Sequence, residues 1–419
     1  MFLVLTMKRL ALLFLIVISV SACGPKEVAK EKKAILILID GVPADVLESV
    51  ATPNIDAIAA EGGYAHAYQG GAKGEYSQTP TISAPGYMNM ITGVWGNKHN
   101  VWGNSVRNPN YNYWNIFRIA ETLKPELKTA IFSTWLDNRT KLVGESKPDA
   151  GELKLDYAFD GFELDTVAFP HGNDRTYIYR IDEHVSKETA RYIKAEAPDA
   201  SWVYLEYTDD IGHAYGDGPE MIDAVQKADV QIGRIWEAIQ YREANYNEDW
   251  VVTITTDHGR NASNGKGHGG QSDRERLTWI ATNQQDLNER YNNGLAVVDI
   301  LPSVLRHLDL ELPVDIKSEL DGVPYSGENS FHSARAELIN NEIKITWEPV
   351  QEGRLEVLMT KTNDFATGGN DEYESLGFIS IQEGQFSFPV GSDTATYKFF
   401  LKAEHNWSNT WYQPKDKEE

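Results

Sequence analysis

The chain has 419 residues, of which 41% are hydrophobic and 11% are aromatic. This content excludes a disordered or low-complexity chain, and the length allows roughly two to three domains. Lys and Arg number 39 against 62 Asp and Glu, which gives a formal net charge of −23. Because Lys and Arg supply the affinity for nucleic-acid backbone, we expect no binding of that kind. The single cysteine excludes a disulfide framework and a cysteine-based zinc finger.

The N-terminus has the pattern of a secretion signal. Two basic residues precede an apolar run over 10–20, and the following VSAC sequence, which ends at Cys23, resembles a bacterial lipobox. The pattern predicts a signal peptide over 1–22, a lipidated Cys23 and a polar tether over 23–33. One expected partner is therefore a lipid bilayer, and the expected location is the bacterial cell envelope, on the periplasmic or surface face of the outer membrane. The alternatives are a simple cleaved signal or an N-terminal anchor helix.

From residue 34 onward, apolar strand-like runs alternate with helical patterns. This alternation predicts an α/β domain over 34–327, with a mostly parallel central sheet flanked by helices. Aromatic residues without clear periodicity fill 135–184, which we interpret as a cap or substrate-facing insertion. The expected strands are 34–39, 129–133, 202–207 and 250–255, and the expected helices are 188–196, 221–241 and 300–308.

After residue 327 the pattern changes to short alternating strands. Spacing of this kind predicts a small β-sandwich over 328–419, which resembles a fibronectin type III domain. The segment carries no residues that suggest catalysis. The expected strands are 336–339, 342–347, 355–359, 385–388 and 397–403.

An acidic residue follows each of three predicted strands: Asp40, Asp209 and Asp257. Ligands of open parallel sheets bind beyond the carboxyl ends of the strands, so we expect these three carboxylates to meet at one rim. Alone, each would more often be a helix cap or turn residue. Together they indicate a site.

Histidines accompany these carboxylates. His213 follows Asp209 by four residues, which places both on one face of a helix, and His258 directly follows Asp257. His268 lies on a glycine-rich loop. Asp and His without Cys suit zinc, or manganese, whereas ligands made only of oxygen would have indicated magnesium or calcium.

Ser83 is the candidate nucleophile. The segment 79–93 has the pattern of a loop entering a helix, with Pro85 in the first turn and Gly93 as the stop. At a helix N-terminus the backbone N–H groups favour an anion, and a nearby metal would favour the alkoxide of Ser83. The alternative is that Ser83 is only an N-cap.

These residues together resemble the alkaline phosphatase superfamily, and within it the type I phosphodiesterase/nucleotide pyrophosphatase family. The resemblance covers approximately 34–325. It rests on Asp40-Gly41, Ser83-x-Pro85, Thr92-Gly93, His99, Asp209-x-x-x-His213, Asp257-His258-Gly259 and His268.

The resemblance implies two divalent metal ions that the substrate oxyanion bridges. Zinc is the expected metal, with manganese, magnesium or calcium as alternatives. The implied ligands are Asp209, His213 and His268 for one ion, and Asp40, Asp257, His258 and Ser83 for the other.

The resemblance also implies roles in the reaction. Ser83 would attack in line and form a covalent intermediate, and Asn104, 21 residues later, would bind a non-bridging oxygen. Lys266 and Arg274, near His268, could bind a further anionic group of the substrate, although exposed Lys and Arg are usually solvated.

Three functions fit these residues. The leading one is a metal-dependent phosphodiesterase acting on an anionic ester. The second is a sulfatase acting on sulfated polysaccharide with unmodified Ser83, because Tyr87 stands where formylglycine sulfatases have Arg. The third is a non-catalytic surface protein that has kept the fold.

Overall fold

A seven-stranded sheet forms the centre of the computed structural model, which describes residues 29–390 and 395–414. Its strands, in chain order, are β1 (Glu31–Ile39), β2 (Gly63–Tyr68), β3 (Thr129–Ser133), β4 (Tyr157–Phe159), β5 (Ala200–Leu205), β6 (Glu248–Thr255) and β7 (Leu277–Thr282). Their spatial order is β2-β7-β6-β1-β5-β3-β4. The strands from β6 to β4 are parallel, whereas β7 is antiparallel to both β6 and β2.

Helices cover both faces of this sheet. They are α1 (Ala44–Leu47), α2 (Pro53–Glu61), α3 (Ser83–Thr92), α4 (Gly96–His99), α5 (Ile116–Leu123), α6 (Thr176–Glu196), α7 (Tyr207–Tyr215), α8 (Pro219–Asn245), α9 (Asp273–Arg276), α10 (Glu289–Asn292), α11 (Ile300–His307) and α12 (Val314–Lys317). The side chains of β1 alternate between the two apolar cores, with Ile37 packing towards α6 and α8 and Leu38 towards α3, α5 and α11. The α/β architecture with a mostly parallel sheet is therefore confirmed.

The end of β5 differs from the prediction. We expected a strand over 202–207, but β5 ends at Leu205 and α7 begins at Tyr207. The reason is Asp182 on α6, whose carboxylate accepts the backbone N–H groups of Glu206 at 3.1 Å and Tyr207 at 2.9 Å. A carboxylate that binds these first N–H groups stabilises a helix start at this point.

The region 135–184 is more regular than its sequence suggested. Strand β4 pairs in parallel with β3 and extends the central sheet, and α6 begins at Thr176, earlier than the expected helix start at 188. The intervening chain has one π-helical turn, Asn138–Val143, and short 3₁₀ turns at Pro148–Ala150 and Phe162–Leu164. Its role as a cap stays a prediction.

Two antiparallel sheets follow the α/β part. Their strands are β8 (Phe331–Ile339), β9 (Glu342–Pro349), β10 (Arg354–Thr360), β11 (Glu374–Ser380), β12 (Gln385–Pro389), β13 (Tyr397–Lys402) and β14 (Trp407–Tyr412). The spatial orders are β11-β10-β13-β14 and β12-β9-β8. Ile345 of one sheet and Val357 and Phe399 of the other share one apolar core, as in a sandwich. The sequence prediction omitted β11 and β14.

The predicted signal peptide and Cys23 lie outside the described residues. Within 29–390 and 395–414, none of the helices combines the length and the apolar character needed to cross a bilayer.

Candidate active site

Three acidic residues meet at the carboxyl ends of the neighbouring strands β6, β1 and β5. Asp40 follows β1 directly, Asp257 lies just beyond β6, and Asp209 lies in the first turn of α7 after β5. Together with three histidines they form two groups, in each of which the candidate ligand atoms lie within 4.8 Å of one another. We name them the inner group (Asp40, Asp257 and His258) and the outer group (Asp209, His213 and His268).

The inner group is buried and offers free oxygen atoms. His258 Nε2 lies 3.1 Å from Asp257 Oδ2 and 3.6 Å from Asp40 Oδ1. No donor among the described residues forms a hydrogen bond to either of these carboxylate oxygens. A buried carboxylate oxygen without a donor is costly unless a cation binds it. The inner group therefore fits a metal ion.

The opposite oxygen of each inner carboxylate is held by the protein. The hydroxyls of Tyr87 and Tyr204 both donate to Asp40 Oδ2, the latter at 2.7 Å. The backbone N–H of Gly41 donates to Asp257 Oδ1 at 3.1 Å. Each carboxylate is thus oriented by one oxygen and presents the other to His258.

Burial has a strong effect on these acids. It raises the pKa of Asp40 well above its usual range, and the nearby charges of Asp257 and Asp209 add to the rise. Burial, together with the charge of Asp209, raises the pKa of Asp257 to about 7. Carboxylates crowded in this way repel one another, and a divalent cation would relieve that repulsion.

The outer group is closer to solvent. Asp209 Oδ2 lies 3.2 Å from Nε2 of His213, whose side chain is 44% exposed. His268 Nε2 lies 3.1 Å from His213 Nε2. Burial opposes ionisation of Asp209, but the neighbouring His213 ring and the charge of Arg260 outweigh it and lower the pKa of Asp209.

All three histidines are oriented in the same way. In each ring Nδ1 donates to a backbone carbonyl at 2.9–3.0 Å, so the hydrogen-bond network assigns the proton to Nδ1 and the lone pair to Nε2. The lone pairs of His213 and His268 face each other, which is unfavourable unless a cation lies between them. The carbonyls belong to Lys266 for His213, Gly259 for His258 and Thr81 for His268.

Ser83 lies beside the inner group as the first residue of α3. Its side chain is buried, and its Oγ lies 3.4 Å from His258 Nε2. The N-cap position belongs to Ile82, one residue earlier, and α3 stops at Gly93, whose φ of 66° is left-handed. The hydroxyl is therefore directed to the candidate ligands instead of capping the helix.

Asn104 lies next to Ser83. Its Oδ1 accepts the backbone N–H of Ala84 at 3.0 Å. This bond fixes the acceptor end of the exposed amide, and no described residue accepts from Nδ2. Asn104 thus presents a donor beside Ser83.

Lys266 and Arg274 differ in how the structure uses them. The Lys266 amine is exposed, and its carbonyl orients His213. The Arg274 guanidinium forms ion pairs with Asp45 at 3.0 Å and Asp217 at 2.9 Å. The donors of Arg274 are therefore directed to the protein itself, and substrate binding by either residue stays a prediction.

Sequence reasoning missed the residues that orient the carboxylates. Tyr87 and Tyr204 hold Asp40, and the fully buried Arg260 donates to Asp209. Only the position of Arg260 after Asp257-His258-Gly259 could have drawn attention to it. His99, by contrast, is structural: its Nε2 donates to Asn89 Oδ1 at 2.7 Å.

The fold and these two groups define an α/β protein with paired candidate metal sites at the rim of its sheet. Residues 34–311 match the family described as type I phosphodiesterase / nucleotide pyrophosphatase. This match covers more than half of the chain, and the chain belongs to that family, as the sequence motifs predicted. The family consists of hydrolases that act on ester bonds.

Curated relatives show a more distant similarity. Ectonucleotide pyrophosphatase/phosphodiesterase family member 7 of Rattus norvegicus is 24% identical over 254 residues, which cover 58% of this chain and 53% of the relative. Its Homo sapiens counterpart is 24% identical over 246 residues, covering 55% and 48%. The chain thus spans about half the length of the curated relatives that it matches.

Solved structures share the fold. A putative sulfatase from Bacteroides thetaiotaomicron has a TM-score of 0.51 at 11% identity, covering 83% of this chain and 86% of that one. The phosphonate monoester hydrolase of Agrobacterium radiobacter has a TM-score of 0.50 at 14% identity, covering 91% and 89%. At these identities the likeness supports the architecture alone.

Proposed function

We propose that this protein is a metal-dependent phosphodiesterase in which Ser83 is the covalent nucleophile. The observation that carries the proposal is the position of Ser83 Oγ, 3.4 Å from His258 Nε2 at the edge of the inner group. A hydroxyl at a helix N-terminus beside preoriented carboxylates and imidazoles is typical of an activated nucleophile. Membership of the phosphodiesterase family supports the same reaction class.

The inner and outer groups would each hold one divalent ion. Carboxylate and imidazole donors without thiolates suit zinc, and manganese, magnesium and calcium are the alternatives to test. Such ions supply positive charge and Lewis acidity to a phosphoryl group in its transition state. In support, the free Oδ1 of Asp40 and Oδ2 of Asp257 lack donors among the described residues.

The proposed hydrolysis of the phosphodiester has two steps. Ser83 Oγ forms a bond to phosphorus while the bond to the leaving-group oxygen on the opposite side breaks. The seryl proton goes to solvent and the leaving group gains one. Water then attacks phosphorus and loses a proton to solvent while the Ser83–phosphorus ester bond breaks; Ser83 regains a proton and a phosphomonoester is released. Asn104 Nδ2 would donate to a non-bridging oxygen in both steps.

We also propose that the enzyme is anchored in the bacterial envelope through a lipid on Cys23. The support is the VSAC sequence after an apolar run. Membrane fractionation tests this directly, because Cys23→Ser should leave the protein unlipidated. Equal membrane content of both forms after a carbonate wash would contradict the anchor.

The test of the activity is a paired hydrolysis assay with zinc supplied. A bis-aryl phosphodiester, an aryl phosphate and an aryl sulfate are compared at equal concentration. We expect the diester to be cleaved fastest. Sulfate release with negligible diester cleavage would overturn the proposal in favour of a sulfatase, and no turnover by a zinc-loaded protein would favour a binding protein.

The nucleophile has its own test. Ser83→Ala should lower kcat by about 10³-fold or more while the bound zinc is retained, because the carboxylates and imidazoles remain. Ser201→Ala is the matched control, since Ser201 Oγ is buried in β5 without a partner among the described residues. Diester turnover by Ser83→Ala equal to that of the control would exclude the covalent route.

A further inference from the structure

We infer that Arg260 is a positioning residue that holds the outer group in place, and that Gly41 and Gly212 leave the space that its side chain needs. The inference rests on the proposed function, because the outer group is taken as a metal site. Arg260 bonds to Asp209 and to backbone carbonyls, and none of these atoms takes part in the proposed bond changes. Its proposed role is to determine which oxygen of Asp209, and which orientation of the His213 ring, is presented to a bound metal ion.

The Arg260 guanidinium connects three segments of the site. Nη2 donates to both Oδ1 and the backbone carbonyl of Asp209, the latter at 2.8 Å. Nε donates to the carbonyl of Gly41 at 2.9 Å, directly after Asp40. Nη1 donates to the carbonyl of Lys266 at 3.2 Å. One fully buried side chain therefore links the chain after β1, the start of α7 and the glycine-rich loop.

These bonds determine the geometry of two outer ligands. With Oδ1 engaged by Arg260, Asp209 presents Oδ2, which lies 3.2 Å from His213 Nε2. The Lys266 carbonyl that Arg260 binds also accepts from His213 Nδ1 at 2.9 Å. Loss of the guanidinium would free Asp209 to rotate and release the carbonyl that holds His213.

The space for this side chain depends on Gly212 in α7. A Cβ added at Gly212 would lie 2.2 Å from Arg260 Cζ, a separation that real atoms do not tolerate. Glycine in a helix costs roughly 0.5–1 kcal/mol relative to alanine, so a glycine between two candidate ligands needs a reason. The passage of Arg260 beside Asp209 provides that reason.

Gly41 also leaves space for the Arg260 guanidinium, on the side opposite Gly212. A Cβ there would lie 2.5 Å from Asp209 Oδ1 and 2.8 Å from Arg260 Nη2. Its φ of +63° already favours glycine, so this position has two independent reasons for a missing side chain. Substitution at Gly212 is the cleaner test, because its helical backbone accepts alanine.

The planar arrangement of the N–H donors of Arg260 matters more here than its positive charge. Arginine reaches several acceptors in one plane, whereas lysine offers a single point charge. Arg260→Lys keeps the charge but cannot reach the Gly41, Asp209 and Lys266 carbonyls together. Arg260→Met removes both charge and donors at similar length.

The experiment measures zinc binding to full-length, metal-free protein, together with thermal unfolding. We expect two zinc ions in the wild type. In Arg260→Met, Arg260→Lys and Gly212→Ala, we expect one ion with wild-type affinity and one weakened about 10- to 100-fold, the usual range for residues that orient metal ligands. Arg242→Met is the matched control, because Arg242 is a buried arginine paired with Glu248. It should bind both ions normally.

The outcomes separate this inference from the proposed function. A wild type that binds no zinc contradicts the metal centre itself. A wild type with two ions, and variants with unchanged affinities, overturns the role of Arg260 alone. Wild-type binding by Arg260→Lys would show that only charge matters, and tighter binding by Arg260→Met would show that Arg260 opposes the metal; both overturn the inference. If Arg260→Met does not fold, Gly212→Ala decides.

Discussion

At the scale of single residues, each candidate ligand has one end fixed and one end free. Asp40 is held through Oδ2 and presents Oδ1, whereas Asp257 is held through Oδ1 and presents Oδ2. The histidines are held through Nδ1 and present Nε2. Ligand side chains that are oriented in this way need not rotate when a cation binds. Holding the ligands in place is the usual contribution of the residues that contact them.

The same logic predicts the effect of a nearly isosteric change at Asn104. Asn104→Asp keeps the Oδ1 that accepts from Ala84 N–H but replaces the donor Nδ2 with a negative oxygen. Because a phosphodiester is anionic, we expect kcat/KM to fall by about 10²-fold or more, as with loss of an oxyanion donor. Unfolding temperature should change little. The comparison is Asn104→Ala, which loses the donor without adding charge; if it is more impaired than Asn104→Asp, the proposed contact is wrong.

Sequence motifs pointed to the candidate ligands but not to the residues that orient them. Asp40, Asp257 and His258 follow strands in a motif that can be read along the chain. Tyr204 reaches Asp40 across 164 positions of sequence, and Arg260 reaches Asp209 across 51. Partners so far apart are determined by packing, which leaves no local pattern. In the same way, the position of Arg274 near His268 in the sequence gave no sign of its ion pairs with Asp45 and Asp217, which lie far from it along the chain.

At the scale of elements, the start of α7 determines where two of the three residues of the outer group lie. Asp209 lies in the first turn of α7 and His213 in its last turn. Asp182 of α6 binds the N–H groups that begin this helix and also accepts from the Thr134 hydroxyl. The apolar pattern of β5 runs on through Tyr207, which is why the strand prediction continued past the boundary that Asp182 imposes.

Asp182 predicts a pH dependence of stability. Burial raises its pKa to about 7, although its hydrogen bonds oppose the rise, against 3.8 for the ordinary side chain. Between these values the folded chain binds more protons than the unfolded chain, so the contribution of Asp182 to stability falls as pH rises from about 4 to about 7 and is constant above that range.

The measurement is urea unfolding of metal-free wild type and Asp182→Asn at a series of pH values. Subtracting the two curves removes the groups that they share. We expect the advantage of the wild type to be largest near pH 4, to shrink towards pH 7 and then to stay level. A difference that is constant across this range, or that grows with pH, would contradict the raised pKa of Asp182.

At the scale of the whole molecule, a buried cluster of charges joins the α/β part to the C-terminal sheets. Lys98 of α4 pairs with Asp321 at 2.6 Å, and Lys398 of β13 pairs with Glu319 at 2.5 Å and Asp371 at 2.6 Å. Both ammonium groups lie within 5 Å of the ring centroid of Trp411, at 4.9 Å and 4.8 Å. Sequence patterns indicated a separate β-sandwich after 327 and gave no sign of this junction, because its partners lie on both sides of that boundary.

The junction also reaches α3, the helix that carries Ser83. The Asp321 backbone N–H donates to the carbonyl of Gly93, which ends α3, and its Oδ2 accepts the N–H of Trp95 at 2.9 Å. Asp321 of this cluster therefore contacts the end of the helix that begins at Ser83. The predicted division at 327 remains a statement about sequence pattern and does not imply that the two parts are independent.

Removing one charge from this cluster should be costly. Lys398→Met leaves Glu319 and Asp371 buried without their cation, and breaking a buried pair in this way typically costs about 3–5 kcal/mol. We expect that loss in the free energy of unfolding by urea. Lys227→Met is the matched control: its partner Asp223 is 59% exposed, and such a surface pair contributes about 1 kcal/mol at most. Equal losses in the two variants would mean that the buried cluster contributes no more than an exposed pair. A large loss confined to Lys398→Met, with both parts of the chain unfolding in one transition, would show that the C-terminal sheets and the α/β part are stabilised as one unit.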